Sequence, residues 1–304
     1  MADVSLRAPT PEDADAIAEL CNVLTQELYG DVDVDAQGVA QWFELPELGM
    51  FLAERGGRAV GYADVRRDDE GARFPIDVRV HPDARGSGVA GALVGATEDW
   101  ARGDARPDAL MRAFVAERDA ECREAVEHRG YRLIRHSFNM EIDLPEVVEP
   151  PEWPEGLTVR TYDPARDEQA VYDCTTEAFA DHWDFRPIPL ERWRAFNSAD
   201  ARFDPTLWWL VEDGDRLAAV CLNHWHFSGD PAFGWVGTLG VRPPWRRRGL
   251  GLALLRHSFA DFARRGATRV GLGVDAENTT GAVKLYERAG MRPVRRHDTY
   301  ERAL

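Results

Sequence analysis

The chain has 304 residues, 44% of them hydrophobic and 10% aromatic, enough for two ordinary cores rather than one. Its formal charge of −16 argues against general nucleic-acid binding, which needs a basic face, and no apolar run approaches the roughly 20 residues of a membrane span. The N-terminus lacks the basic-then-apolar pattern of a signal peptide, and Cys21, Cys122, Cys174 and Cys221 stand far apart without a C-x-x-C pair, so a cytoplasmic protein with reduced thiols and no metal centre is expected.

In chain order, the first half opens with the strand VSLRA and closes with RHSFNMEID. Residues 1–150 hold 16 Arg and no Lys against 31 Asp and Glu, a charge of −15, which reads as a solvated, solubilising surface. A Pro- and Glu-rich stretch, DLPEVVEPPEWPEG, follows as a linker. The second half then starts with the strand LTVRTY and a helix over Asp167–Ala180, set by apolar spacing. LERWRAF reads as a second short helix, and LWWLVED and RLAAVCLNHWHF as strands joined through Asp213-Gly214-Asp215. The strand FGWVGTLGV leads to a long amphipathic helix from Gly249 to Arg265. The strand RVGLGVD, a helix over Thr279–Ala289 and a last strand near RPVRRHDTYE complete the half. Strands on both sides of a central helix predict an α/β fold with a mixed sheet.

The two halves follow one plan. An offset of 161 matches Val80 with Val241, Pro82 with Pro243, Arg85 with Arg246, Gly88 with Gly249 and Leu93 with Leu254. Further on, Gly130 faces Gly290 at an offset of 160, so the domains are duplicated. Domains at 1–145 and 157–304, with a linker at 146–156, are expected.

PPWRRRGLGLALL, residues 243–255, places three arginines before a Gly-x-Gly and a helix. The first turn of a helix carries N–H groups without internal partners and partial positive charge, which suits a phosphate. Glycine lets a ligand approach the backbone, and arginine adds charge-assisted hydrogen bonds. The pattern is neither a P-loop, for want of G-K-[ST], nor a dinucleotide fingerprint, for want of the third glycine.

LGVRPPWRRRGLGLALL together with LGVDAENTTGAVKLYERAGM resembles the GNAT superfamily of acyl-CoA-dependent N-acetyltransferases, in its tandem two-domain, mycothiol synthase-like form. The family's Gln/Arg-x-x-Gly-x-Gly/Ala signature matches Arg246-Arg247-Arg248-Gly249-Leu250-Gly251, and more faintly Arg85-Gly86-Ser87-Gly88-Val89-Ala90. The resemblance implies acetyl-CoA as acyl donor, its pyrophosphate on the signature and its pantetheine arm beside Leu239, Gly240 and Val241, with Asn278 touching the arm. Val80 and the first signature are candidates for a weaker or lost site.

The resemblance also implies that Tyr286, on the last helix, protonates the departing thiolate, whereas Val126 stands at that place in the first half. Chemistry is therefore expected in the C-terminal domain, on a primary amine of a small molecule. The strand before the signature has no acid, and Trp235 stands roughly where mycothiol synthase carries a glutamate. Candidate bases are His224 and His226, on one strand face, and Glu177 on the first helix; Asp181, His182 and Trp183 are candidate acceptor-site residues. Competing readings are a non-catalytic CoA-binding sensor and an acetyltransferase of a protein or peptide amine. No nucleic-acid or membrane partner is expected, and the chain is expected to be a monomer or homodimer.

Overall fold

Each half begins with a short strand whose arginine is tied to the start of the next helix. In the computed structural model, which describes residues 4–32, 34–45, 47–198, 203–225, 229–278 and 280–304, Arg7 of strand β1 (Val4–Arg7) bonds both oxygens of Asp13 at 2.7 Å. Asp13 caps helix α1 (Ala14–Tyr29), and Arg7 also reaches Glu54 of β2 (Leu48–Arg55) at 2.8 Å. The second half repeats the staple: Arg160 of β7 (Leu157–Thr161) joins Asp167, the cap of α5 (Glu168–Phe179), at 2.5 Å and Glu212 of β8 (Trp208–Asp213) at 2.5 Å. This shared triad is tertiary and was not read from the sequence.

Burial alone would raise the Asp167 carboxyl, but Arg160 and Arg166 bring it down to about 2. Its ordinary value is 3.8, so the charged form is favoured in the folded chain and its contribution is complete above that value. The contribution disappears as pH falls from about 4 through 2. Asp167→Asn is expected to cost about 2 kcal/mol at pH 7 and almost nothing near pH 2, read from urea midpoints at the two pH values. An equal cost at both would show that the ion pair does not stabilise the fold.

The compact units are Met1–Ser137 with Arg295–Leu304, and Phe138–Val294. The first contains α2 (Ala36–Trp42), β3 (Arg58–Arg66), β4 (Arg73–Val80), α3 (Val89–Arg102), β5 (Leu110–Ala116), α4 (Ala120–His128) and the start of β6 (Arg132–Asp143). Its strands run in the order β1-β2-β3-β4-β5-β12, where β12 is Arg292–Ala303. The second contains α6 (Leu190–Ser198), β9 (Arg216–His224), β10 (Phe233–Val241), α7 (Leu250–Arg264), β11 (Arg269–Asp275) and α8 (Ala282–Arg288). Its order is β6-β11-β10-β9-β8-β7.

The division therefore differs from the one expected at 146–156: it runs within β6 and β12, and the two final strands are exchanged. β12 pairs antiparallel with β5, from His297↔Ala116 to Ala303↔Leu110, while Met140 of β6 is fully buried in the second core. The pattern of a strand dictates which face is buried, not which neighbour it pairs with. RHSFNMEID and RPVRRHDTYE have similar patterns, so sequence could not assign either to its slot.

One irregularity positions the site. β10 pairs in parallel with β11 only from Phe233↔Arg269 to Val236↔Leu272, yet stays paired with β9 as far as Val241↔Ala219. Between Val236 and Thr238 the register shifts, and Gly237 is the extra residue. A Cβ there would lie 2.6 Å from Nε2 of His224, so any larger residue would have to displace that ring. Beyond it the β11-facing edge of β10 is left open, with N–H and C=O groups exposed. β4 and β5 part company in the same way after Ile76↔Ala113.

Candidate active site

A cleft of 640 Å³ opens at the parting of β10 and β11, lined by Leu239, Val241, the signature loop, α8 and the end of α5. Gly249, at φ +85°, caps α7 in the left-handed region, a conformation that glycine adopts without strain. The first N–H groups of α7, at Leu250, Gly251 and Leu252, have no intrahelical partner, and all three residues line the cleft. Gly251 packs closely against α8: a Cβ there would lie 3.1 Å from a Leu285 methyl, which would have to give way slightly. Gly240 lies against α5, with Ala178 Cβ 3.1 Å from where its own would stand.

The three arginines of the signature have separate roles. Arg246 braces the loop: its guanidinium donates to Asp181 at 2.5 and 3.0 Å, to the Ala178 carbonyl at 2.9 Å and to the Val241 carbonyl at 3.2 Å. Arg246 in turn holds the Asp181 carboxyl below the usual carboxylate range. Arg248 lies 3.8 Å from Asp213. Arg247, at φ +62°, has no carboxylate partner among the described residues and lines the cleft. Of the three arginines expected to meet an anion, Arg246 and Arg248 have carboxylate neighbours and Arg247 has none among the described residues.

Tyr286 lines the cleft and is 9% exposed; its hydroxyl has no hydrogen-bond partner among the described residues. Burial, with the Cys221 thiol nearby, pushes its pKa well above the ordinary 10, so it remains a proton donor at neutral pH. Helix α8 begins at Ala282, later than the sequence suggests, because Gly281 at φ +79° caps it. Asn278 accepts from the Thr280 N–H at 2.8 Å within its own turn and is not part of the cleft wall; Thr279 lies outside the described residues. Lys284 and Arg288, unnoticed in the sequence, line the cleft from the same helix four residues apart.

Of the acceptor candidates, Asp181 and His182 line the cleft and Trp183 does not. The His182 ring lies 4.4 Å from that of Phe179. Burial lowers its pKa below 6.5 despite Asp181 and Asp275, so the imidazole is neutral at pH 7. His224 stands over the Gly237 bulge and outside the cleft wall, and His226 lies outside the described residues. Glu177 is corrected: it accepts from Arg242 at 2.8 Å and is absent from the cleft, an ion pair that holds α5 to the turn after β10. Trp235 lies flat over Gly271, where a Cβ would meet its ring at 2.8 Å, and Trp193, Trp208 and Trp245 are core residues.

The corresponding parting in the first unit is closed. Only 30 Å³ remains between β4 and β5, where Arg79 bonds Asp77 at 2.9 Å and Thr25 at 3.3 Å. Glu121 accepts from the Gly86 N–H at 3.0 Å, in the loop that leads into α3. Arg85 pairs with Glu27 at 2.6 Å, and Val126 is fully buried. The Val80 and Arg85–Ala90 set therefore forms a self-neutralised version of the signature. Among the described residues no cluster of three His, Cys, Asp or Glu is placed to hold a metal, and no helix is long and apolar enough to cross a membrane.

Comparisons with known proteins agree with this geometry. Residues 14–131 and 168–291 match the model of the Acetyltransferase (GNAT) family. Mycothiol acetyltransferase of Salinispora arenicola is 32% identical over 266 residues, covering 81% of this chain and 79% of its own. That of Thermomonospora curvata is 34% identical over 247 residues, covering 79% and 77%. The crystal structure of a GCN5-related N-acetyltransferase from Sphaerobacter thermophilus has a TM-score of 0.84 at 35% identity, over 99% of this chain and 95% of that one. A tandem GNAT protein from the clavulanic acid biosynthesis pathway shares the fold, with a TM-score of 0.80 at 17% identity over 99% and 98%. The chain belongs to the Acetyltransferase (GNAT) family, as a tandem N-acetyltransferase of the mycothiol synthase-like kind.

Proposed function

We propose that the second unit transfers an acetyl group from acetyl-CoA to a primary amine of a small molecule, and that the first unit binds no cofactor. One contrast carries this reading: a 640 Å³ cleft beside a helix N-terminus in one unit, and in the other a space of 30 Å³, with Glu121 on the Gly86 N–H of the signature loop. Acetyl-CoA supplies an activated acyl group, and the residues present suit it, with orphan N–H groups for a pyrophosphate and an open strand edge for amides.

The chain has three tasks in this reaction. His182, neutral and in the cleft wall, takes the proton of the attacking amine. The open N–H groups of β10 stabilise negative charge developing on the carbonyl oxygen. Tyr286, kept protonated by burial, gives its proton to the departing sulfur. The curated relatives are named as mycothiol acetyltransferases, which supports a small amine acceptor. Four buried cysteines, none of them in a disulfide, support a cytoplasmic setting.

Calorimetric titration of the whole chain with acetyl-CoA tests the reading. One site per chain is expected. Two sites would mean that the first unit opens for the cofactor, and none would remove the acetyl-CoA assignment.

A further inference from the structure

Of the chain's 37 lysines and arginines, 36 are arginine, and the single lysine is Lys284. An arginine is no acyl acceptor at neutral pH, because its guanidinium does not deprotonate in a protein. The thiols are withdrawn as well: all four cysteines are buried, and burial pushes Cys174 and Cys221 up to about 12. Lys284 is thus the chain's one side-chain amine, and it stands in the wall of the cleft.

Its surroundings leave that amine unengaged. Many arginines of the second unit are tied to carboxylates, as Arg160, Arg242, Arg246 and Arg265 are. Lys284 is exposed and has no carboxylate partner among the described residues. Asp181, the one carboxylate among the described residues of the cleft wall, is held by Arg246, and Arg247 and Arg288 offer no counter-charge. An ammonium fixed in an ion pair is a poor nucleophile; this one is fixed by none, on a flexible four-carbon stem. Tyr286 lies two residues further along α8, and His182 lines the same cleft. The groups assigned to acetyl transfer therefore share one space with the amine.

Resting on the acetyl-CoA reading above, we infer that Lys284 is itself an acetyl acceptor, modified by the donor bound in its own chain, and that the acetylated chain is a self-limited form of the enzyme. Lys284 first releases a proton to solvent. Its Nζ then attacks the thioester carbonyl, so that the N–C bond forms and the C–S bond breaks. His182 takes the second proton of the amine and Tyr286 gives one to the sulfur, which leaves a neutral amide and the free CoA thiol. No further reactant is needed. A bound small amine competes with this step, so self-acetylation proceeds when donor is present and acceptor is scarce. The product removes a positive charge from the cleft and adds an acetyl group to it, and both changes oppose binding of the next donor.

Mass spectrometry tests this on the full chain incubated with acetyl-CoA and no amine. Trypsin divides the stretch 270–288 at Lys284 unless that residue is acetylated, so the undivided peptide reports the modification. Lys284 is expected to react at least about 100-fold faster than a free lysine derivative at the same donor concentration, the advantage of holding both reactants in one site. The rate per chain should not depend on protein concentration, and desulfo-CoA, which fills the cleft without a thioester, should stop it. By calorimetry, the acetylated chain and untreated Lys284→Gln should bind CoA about tenfold more weakly, while Lys284→Arg keeps its affinity after the same incubation. No acetyl group on Lys284, or one that appears at the solution rate or despite desulfo-CoA, would overturn the site. A rate per chain that rises with protein concentration would overturn transfer within the chain, and full CoA affinity of the acetylated chain would overturn the self-limitation. Acetyl-CoA that binds without modifying Lys284 sinks this inference alone; acetyl-CoA that does not bind sinks the proposed function with it.

Discussion

Tyr286→Phe is expected to lower kcat by about 100-fold or more while leaving acetyl-CoA affinity within about twofold. The hydroxyl is the only group removed, it has no hydrogen-bond partner among the described residues, and the ring remains in its contacts, so folding should be nearly unaffected. The loss is confined to the step in which the sulfur departs, since a thiolate without a proton donor is a poorer leaving group. Turnover that is unchanged in this variant would remove Tyr286 from the mechanism. The pH profile of the unaltered enzyme is informative too. The Tyr286 pKa is raised, so no loss of activity from its ionisation is expected below pH 10. The His182 pKa is lowered, so the base stays neutral, and activity persists, to below pH 6.5 before protonation stops it. An activity that already falls above pH 6.5 on acidification would point to another base.

Gly249→Val and Gly88→Val form a matched pair with opposite expected consequences. The two glycines cap equivalent helices at φ +85° and +81°, and a Cβ at either would meet no atom within 4 Å. Each substitution thus carries a similar backbone strain, about 1–3 kcal/mol, and no clash. At Gly249 the strained loop also displaces the N–H groups that face the cleft. Acetyl-CoA affinity should drop by about 100-fold, the loss of roughly two charge-assisted hydrogen bonds. At Gly88 the same strain acts on the loop that Glu121 holds at Gly86, beside a space of only 30 Å³, and affinity should not change. Thermal unfolding and calorimetry on both variants give the two readouts. Weakened binding in Gly88→Val comparable to that in Gly249→Val would place a working cofactor site in the first unit.

Local and periodic information was sufficient for much of this protein. The strand–turn–glycine–helix run at 243–255 encodes its own backbone, because glycine adopts the left-handed cap of α7 without strain. A nearly constant offset, 161 and then 160, reveals the repeat, and Val126 opposite Tyr286 separates the two halves chemically. Helices α5 and α7 fall within a residue of their expected ends, since amphipathic spacing is a property of the chain itself.

Other features depend on residues distant in sequence. The exchange of β6 and β12 was not legible, because alternation selects a face and leaves the partner strand open. Arg246 looks like a phosphate ligand until Asp181, 65 positions away, is seen to engage it. Glu177 looks like a base until Arg242 claims it, and Glu121 looks like surface charge until it is found on the Gly86 N–H. Sequence by itself determined the backbone of the signature and the number of copies, since both are local. Only the tertiary structure decided which charges are free to meet a ligand, because a charge is free or neutralised according to what folding brings within about 4 Å of it.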